Sequence, residues 1–160
     1  MESFYLKPGD LLICRDPCEV TTVLGSCIAV TMFSSRLDLA AICHAMLPAP
    51  GQGRCAEDRS REPYKYVSLV VPVMAGVFTR AGAKPAETEV KLFGGASCIG
   101  RHRNGDCPHC VGPSNVRLAR MLLAEHRLVV RASNVGGSSG RKLLFNTATG
   151  EVLHKHLAQT

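Results

Sequence analysis

Val20-Thr21-Thr22-Val23-Leu24-Gly25-Ser26-Cys27-Ile28-Ala29-Val30-Thr31-Met32-Phe33 reads as two apolar, β-branched runs joined by a Gly-Ser-Cys hinge. Cys27 stands where the chain leaves a turn and enters a strand, so its sulfur can be exposed while the backbone behind it is anchored. A second apolar strand, Leu39 to Leu47, carries His44 between Cys43 and Ala45. The polar turn Ser34-Ser35-Arg36-Leu37-Asp38 is short enough to make the two strands hairpin neighbours. Cys27 and His44 then lie side by side, as a thiol nucleophile and its base must.

Working outward, Leu11-Leu12-Ile13-Cys14 is a short strand after the turn Pro8-Gly9-Asp10, and Arg15-Asp16-Pro17 turns the chain back into the central stretch. Beyond Leu47 comes Pro48-Ala49-Pro50-Gly51, followed by a polar, charged loop to Pro63. Val67, Val70, Val71, Met74, Val77 and Phe78 recur on one face of a helix, with Pro72 as an expected kink and Gly82 as its end. Thr88 to Phe93 alternates as a strand and runs into Gly94-Gly95-Ala96-Ser97. Ser114 is the expected N-cap of a second helix reaching about His126, with Leu118, Ala119 and Leu122 inward. Leu128 to Arg131 is a strand, and Lys142–Asn146 with Glu151–His156 form a hairpin around Thr147-Ala148-Thr149-Gly150. Strands at both ends with two helices between them predict an α/β, α+β-like layered domain over residues 1–160. Its sheet should be mixed and largely antiparallel, with the two helices packed on it.

Composition narrows the function. At 46% hydrophobic and 20% charged the chain is ordinarily globular. The net charge of +6 is spread along the chain, without Trp and without aromatics grouped among the basic residues. That disfavours a nucleic-acid binder and leaves a solvated basic surface, or attraction to an acidic protein. Eight cysteines in a chain this long and core-rich predict reduced thiols rather than a disulfide scaffold. The first residues lack a signal-peptide pattern and no apolar run is long enough to span a bilayer, so a cytoplasmic location is expected.

The chemistry expected of the corner is acyl transfer from an amide. An imidazole takes the thiol proton and later delivers it to the leaving amine. A third group fixes the tautomer of the base. Backbone N–H groups around Gly25, Ser26 and Cys27 are placed to hold an oxyanion. A cysteine in an apolar strand is more commonly core, and Cys43 is expected to be so, because it points away from the face His44 uses.

The motif V-T-T-V-L-G-S-C-I-A-V at 20–30, followed by A-A-I-C-H-A-M-L-P at 40–48, resembles the chemoreceptor glutamine deamidase family CheD. The likeness continues in Gly94-Gly95-Ala96-Ser97, Gly112, Asn115-Val116, Gly136-Gly137-Ser138-Ser139-Gly140-Arg141 and Phe145-Asn146-Thr147-Ala148-Thr149-Gly150. It implies a CheD-like fold and hydrolysis of glutamine side chains in the cytoplasmic helices of methyl-accepting chemotaxis receptors, without a cofactor. It also implies a Cys-His-Thr triad of Cys27, His44 and Thr21, with Ser26 and Gly25 supporting the oxyanion. Thr22 competes for the third role, since adjacent residues of a strand face opposite ways and only one can face His44. The same resemblance implies binding to a CheC-type phosphatase as the rival role, and similarity of fold and chemistry to toxins that deamidate a glutamine of GTPases.

One departure from the family pattern is Cys98, where the family usually has methionine. Cys98, His102, Cys107 and Cys110 include one C-x-x-C and enough soft ligands for tetrahedral zinc. With no second pair at a standard spacing, the expectation is a loop without metal. His126, His154 and His156 are expected to serve at a helix end and on a solvent-facing strand.

Overall fold

A computed structural model describes residues 1–51, 61–97 and 110–158. Cys98, His102 and Cys107 lie outside the described residues, as does most of the loop before Pro63. Among the described residues nine strands form two sheets. The strands are β1 (Glu2–Tyr5), β2 (Leu11–Cys14), β3 (Cys18–Leu24), β4 (Ile28–Ser34), β5 (Leu39–Cys43), β6 (Glu89–Gly94), β7 (Val130–Val135), β8 (Arg141–Asn146) and β9 (Val152–His156). One sheet has the order β1-β3-β8-β9 and the other β2-β5-β4-β6-β7. Helices α1 (Val67–Arg80) and α2 (Val111–Glu125) pack on the second sheet. The class is the expected one, mixed and mostly antiparallel with two helices. Its strands, however, are divided between two layers, and β1 was not foreseen.

Side-chain parity explains the layering. On β4, Ile28, Val30 and Met32 face the helices, where Val67, Val70, Val71, Met74 and Phe78 of α1 and Ala119 and Leu123 of α2 meet them. Ala29 and Phe33, at the alternate positions, face the other sheet and join Val20, Leu24, Leu143 and Phe145. Every residue of β4 and β5 is buried, as expected of strands covered on both faces. In β3 the even positions Cys18, Val20, Thr22 and Leu24 are buried, while Glu19, Thr21 and Val23 look outward.

Helix α1 runs unbroken through Pro72, its packing on the sheet offsetting the lost backbone donor. Its end at Gly82 follows the expectation, with the Ala83 and Gly82 amides closing on the Phe78 and Thr79 carbonyls. Helix α2 begins at Val111, three residues before the expected cap. Pro113 is tolerated in a first turn, where its missing N–H has no partner to lose, so the helix extends back to an N-cap at Cys110. Ser114 therefore lies inside it. Leu118 and Leu122 are only partly buried beside Ala119 and Leu123, which are fully buried. Among the described residues no helix is long and apolar enough to cross a membrane.

Candidate active site

Ile28 and Ala45 exchange backbone hydrogen bonds of 2.9 Å in both directions, extending the β4–β5 ladder past Cys43. That antiparallel register sets Cys27 opposite Met46, and His44, two residues earlier, on the same face. Cys27 and His44 are diagonal neighbours on that face, roughly 7–8 Å apart at the backbone by sheet geometry. Both look into the layer between the sheets, where Cys27 packs half-buried against the apolar cluster of Val20, Leu24 and Phe93. Cys43 faces the helices instead, and burial pushes its thiol up to about 12.

The side-chain partner of His44 comes from the other sheet. Thr22 Oγ1 lies 2.8 Å from Nδ1 of His44, and both side chains are buried. Thr21 turns the other way, its hydroxyl 3.4 Å from the Phe4 carbonyl on the exposed face. The geometry thus corrects the assignment that set Thr21 beside the histidine: strand parity sends Thr22 inward with Val20 and Leu24, and Thr21 outward with Glu19.

Thr22 also fixes the tautomer. Its hydroxyl donates to the Leu6 carbonyl at 2.8 Å, which uses its single proton. Toward His44 it can only accept, so Nδ1 carries the hydrogen and Nε2 presents a lone pair. Burial lowers the His44 pKa, outweighing the Leu6 carbonyl and the Asp10 charge, which raise it. The ring is accordingly held as a neutral base. Burial likewise raises Cys27 above an ordinary thiol, opposed in part by its own backbone N–H. Both shifts favour the uncharged forms, thiol and imidazole, at rest.

The first ten residues, in which the sequence marks only the turn Pro8-Gly9-Asp10, form a supporting shell. The Leu6 amide bonds the Thr21 carbonyl at 2.8 Å, carrying the parallel β1–β3 pairing forward so that its own carbonyl meets Thr22. The His44 amide donates to the Asp10 carbonyl at 3.0 Å, and the His44 carbonyl accepts from Gly9 at 2.8 Å. No side-chain pattern announces these contacts, because they are made by the main chain.

The family motifs converge behind Cys27. The Gly95 amide donates to the Cys27 carbonyl at 2.9 Å and the Ala96 amide to the Gly25 carbonyl at 3.0 Å. Gly94 and Gly95 have φ of +102° and +69°. A Cβ on Gly94 would stand 2.3 Å from the Cys27 carbonyl oxygen, and one on Gly95 would stand 2.3 Å from Val116 of α2. Arg141, buried with its pKa lowered by desolvation, bonds the Asn134 side chain at 2.8 Å and the carbonyls of Asn134 and Gly136. The Gly136 amide in turn holds the Gly94 carbonyl at 2.9 Å. Asn115, fully buried on α2, donates to the Ser26 carbonyl at 3.1 Å and the Met46 carbonyl at 3.2 Å.

Of the four proposed soft ligands only Cys110 is described, buried at the start of α2. Among the described residues no group of three His, Cys, Asp or Glu is placed to hold a metal. His126 caps α2 with Nδ1 2.9 Å from the Leu122 carbonyl oxygen, and His154 and His156 lie exposed on β9.

Known proteins resemble the chain over most of its length. The family model described as CheD chemotactic sensory transduction matches residues 46–156, a span that holds Asn115 and the glycine loops and begins just after His44. Relatives match over nearly the whole chain. The probable chemoreceptor glutamine deamidase CheD of Oleidesulfovibrio alaskensis is 46% identical over 96% of this chain and 72% of its own length. The probable chemoreceptor glutamine deamidase CheD 2 of Geobacter sulfurreducens is 45% identical over 98% of this chain and 91% of its own. The corresponding protein of Maridesulfovibrio salexigens is 38% identical over 96% and 91%. With two thirds of its length inside the family model and such identity across almost all of it, the chain belongs to the CheD family.

Proposed function

We propose that the chain is a protein-glutamine glutaminase that converts glutamine side chains in the cytoplasmic helices of chemotaxis receptors to glutamate, releasing ammonia. Nε2 of His44 takes the Cys27 proton as Sγ attacks the side-chain amide carbon. The tetrahedral oxyanion is held by backbone N–H groups of the Gly25-Ser26-Cys27 turn. Collapse breaks the C–N bond, and the proton on His44 leaves with ammonia. Water then gives a proton to His44 and attacks the thioester; the thiol departs with that proton and glutamate remains. Thr22 holds His44 in the tautomer each step requires.

The observation that carries this reading is the Thr22–His44 hydrogen bond on the face shared with Cys27, in a chain whose relatives are named chemoreceptor glutamine deamidases. A receptor's cytoplasmic helices as substrate place the protein in the cytoplasm. Ammonia release from a receptor cytoplasmic fragment tests the reading; it should require Cys27 and His44, and release by a folded Cys27→Ala variant would refute it. Binding of a CheC-type phosphatase is a compatible second role, resting on the family alone. It should survive His44→Ala, which removes the base and little of the surface.

A further inference from the structure

Three successive carbonyls of the nucleophile loop are turned into the protein. Those of Gly25 and Cys27 are held by main-chain amides of Ala96 and Gly95, and the one between them, Ser26, by the side chain of Asn115 at 3.1 Å. In a trans peptide the C=O and the following N–H point opposite ways, and among the described residues there is no cis bond. The inward carbonyls of Gly25 and Ser26 therefore aim the N–H groups of Ser26 and Cys27 outward. The next amide, Ile28, is spent on the Ala45 carbonyl at 2.9 Å. Among the described residues, no backbone carbonyl takes the Cys27 N–H.

We propose that Asn115 is the positioning residue of the oxyanion hole: by drawing in the Ser26 carbonyl it points the Cys27 N–H at the substrate carbonyl oxygen. The inference rests on the assignment of Cys27 as nucleophile. It explains why an amide sits at a fully buried position whose Oδ1 has no partner among the described residues. An unpaired buried acceptor is unfavourable, and a leucine of similar size would avoid it. The side chain is thus kept for its two N–H donors, one for the loop before the nucleophile and one for Met46, two residues beyond the base. The close approach of α2 makes the reach possible. A Cβ on Gly112, one turn before Asn115, would lie 2.1 Å from the Ala96 carbonyl oxygen.

Asn115→Leu and Asn115→Asp, of nearly the same volume, are compared with wild type in two reactions of Cys27. Deamidation of a receptor fragment passes through an oxyanion. Alkylation by iodoacetamide, in which sulfur displaces iodide at a saturated carbon, does not. Loss of one oriented oxyanion donor costs about 10²- to 10³-fold in kcat. Both variants should show a fall of that order with KM nearly unchanged, while the alkylation rate stays near that of wild type. An unchanged kcat in either folded variant overturns the proposal, as does an alkylation rate that falls in step with kcat. Where the variants fail to fold, the wild type decides. An aldehyde analogue of the glutamine side chain should form a thiohemiacetal that shifts the Cys27 amide proton strongly downfield, and no shift would overturn the proposal. If Cys27→Ala still deamidates, the nucleophile assignment itself falls and the role of Asn115 falls with it. Loss confined to the Asn115 experiments leaves that assignment standing.

Discussion

Thr22 Oγ1 sits 2.8 Å from Nδ1 of His44 while giving its only proton to the Leu6 carbonyl. That chain of two hydrogen bonds sets the hydrogen on Nδ1 and leaves Nε2 free, which in the proposed mechanism gives a neutral hydroxyl the part a carboxylate plays in other triads. It adds no charge to stabilise the imidazolium. The proposed mechanism therefore asks His44 to hold the proton only transiently, in keeping with a buried ring whose cation is disfavoured.

Thr22→Val should reduce kcat by at least about 10-fold, a part of the roughly 10²- to 10⁴-fold that a positioned base contributes. It also strips the Leu6 carbonyl of its donor, costing about 1–3 kcal/mol of stability. Thr21→Val, on the opposite face, should change kcat less than about 2-fold, since the base it leaves untouched supplies that contribution. Steady-state kinetics on both variants check the pair, and the reverse ranking would restore Thr21 to the site.

The pH dependence of kcat/KM follows from the two shifted groups. His44 must be neutral to act, and its pKa lies below the usual imidazole value of about 6.5. The acid limb should therefore have its midpoint below about 6.5. Cys27 is raised by burial, so the alkaline limb should lie above the ordinary thiol range. A bell-shaped profile narrower than free imidazole and free thiol would give is the contrary result.

Stability should carry the same signature. Folding disfavours the His44 cation, so below about 6.5 the unfolded chain binds the proton more readily and stability falls with pH. The contribution is fully present above that value and is lost as pH falls toward and through the folded pKa. His44→Gln should flatten this part of the curve of urea midpoint against pH, and an unchanged slope would assign it to other groups.

Gly94→Ala tests the backing of the loop. Its Cβ would stand 2.3 Å from the Cys27 carbonyl oxygen at a φ of +102°. Backbone strain and overpacking together should cost about 2–5 kcal/mol. Activity should be lost even at temperatures where the variant is folded, because the carbonyl that must yield belongs to Cys27, the proposed nucleophile. Wild-type kcat in Gly94→Ala would show that the loop tolerates displacement.

Much of this site is legible in the sequence because the key elements are local. The short turn between Phe33 and Leu39 dictates the β4–β5 hairpin, and strand alternation then brings Cys27 and His44 to one face and sends Cys43 to the other. The choice between Thr21 and Thr22 needs the orientation of β3 against the second sheet, whose β3–β8 pairing joins residues more than a hundred positions apart. Val20, Val23 and Leu24 are all apolar, so the local pattern does not reveal which face is buried. Glu2–Tyr5 is too short and too exposed to register as a strand, yet it carries Leu6 to Thr22. Asn115 reaches Ser26 from 89 positions away, and its value lies in a main-chain carbonyl that no residue pattern marks.

In the proposed reaction Cys27 cleaves the amide of a receptor glutamine with His44 as base. Site-resolved mass spectrometry of a receptor cytoplasmic fragment, incubated with wild type, Cys27→Ala or His44→Ala, measures it directly. Wild type should produce the amide-to-acid mass shift at particular glutamines, and neither folded variant should produce it. The same shift produced by folded Cys27→Ala, or none produced by wild type on a fragment it binds, would contradict it.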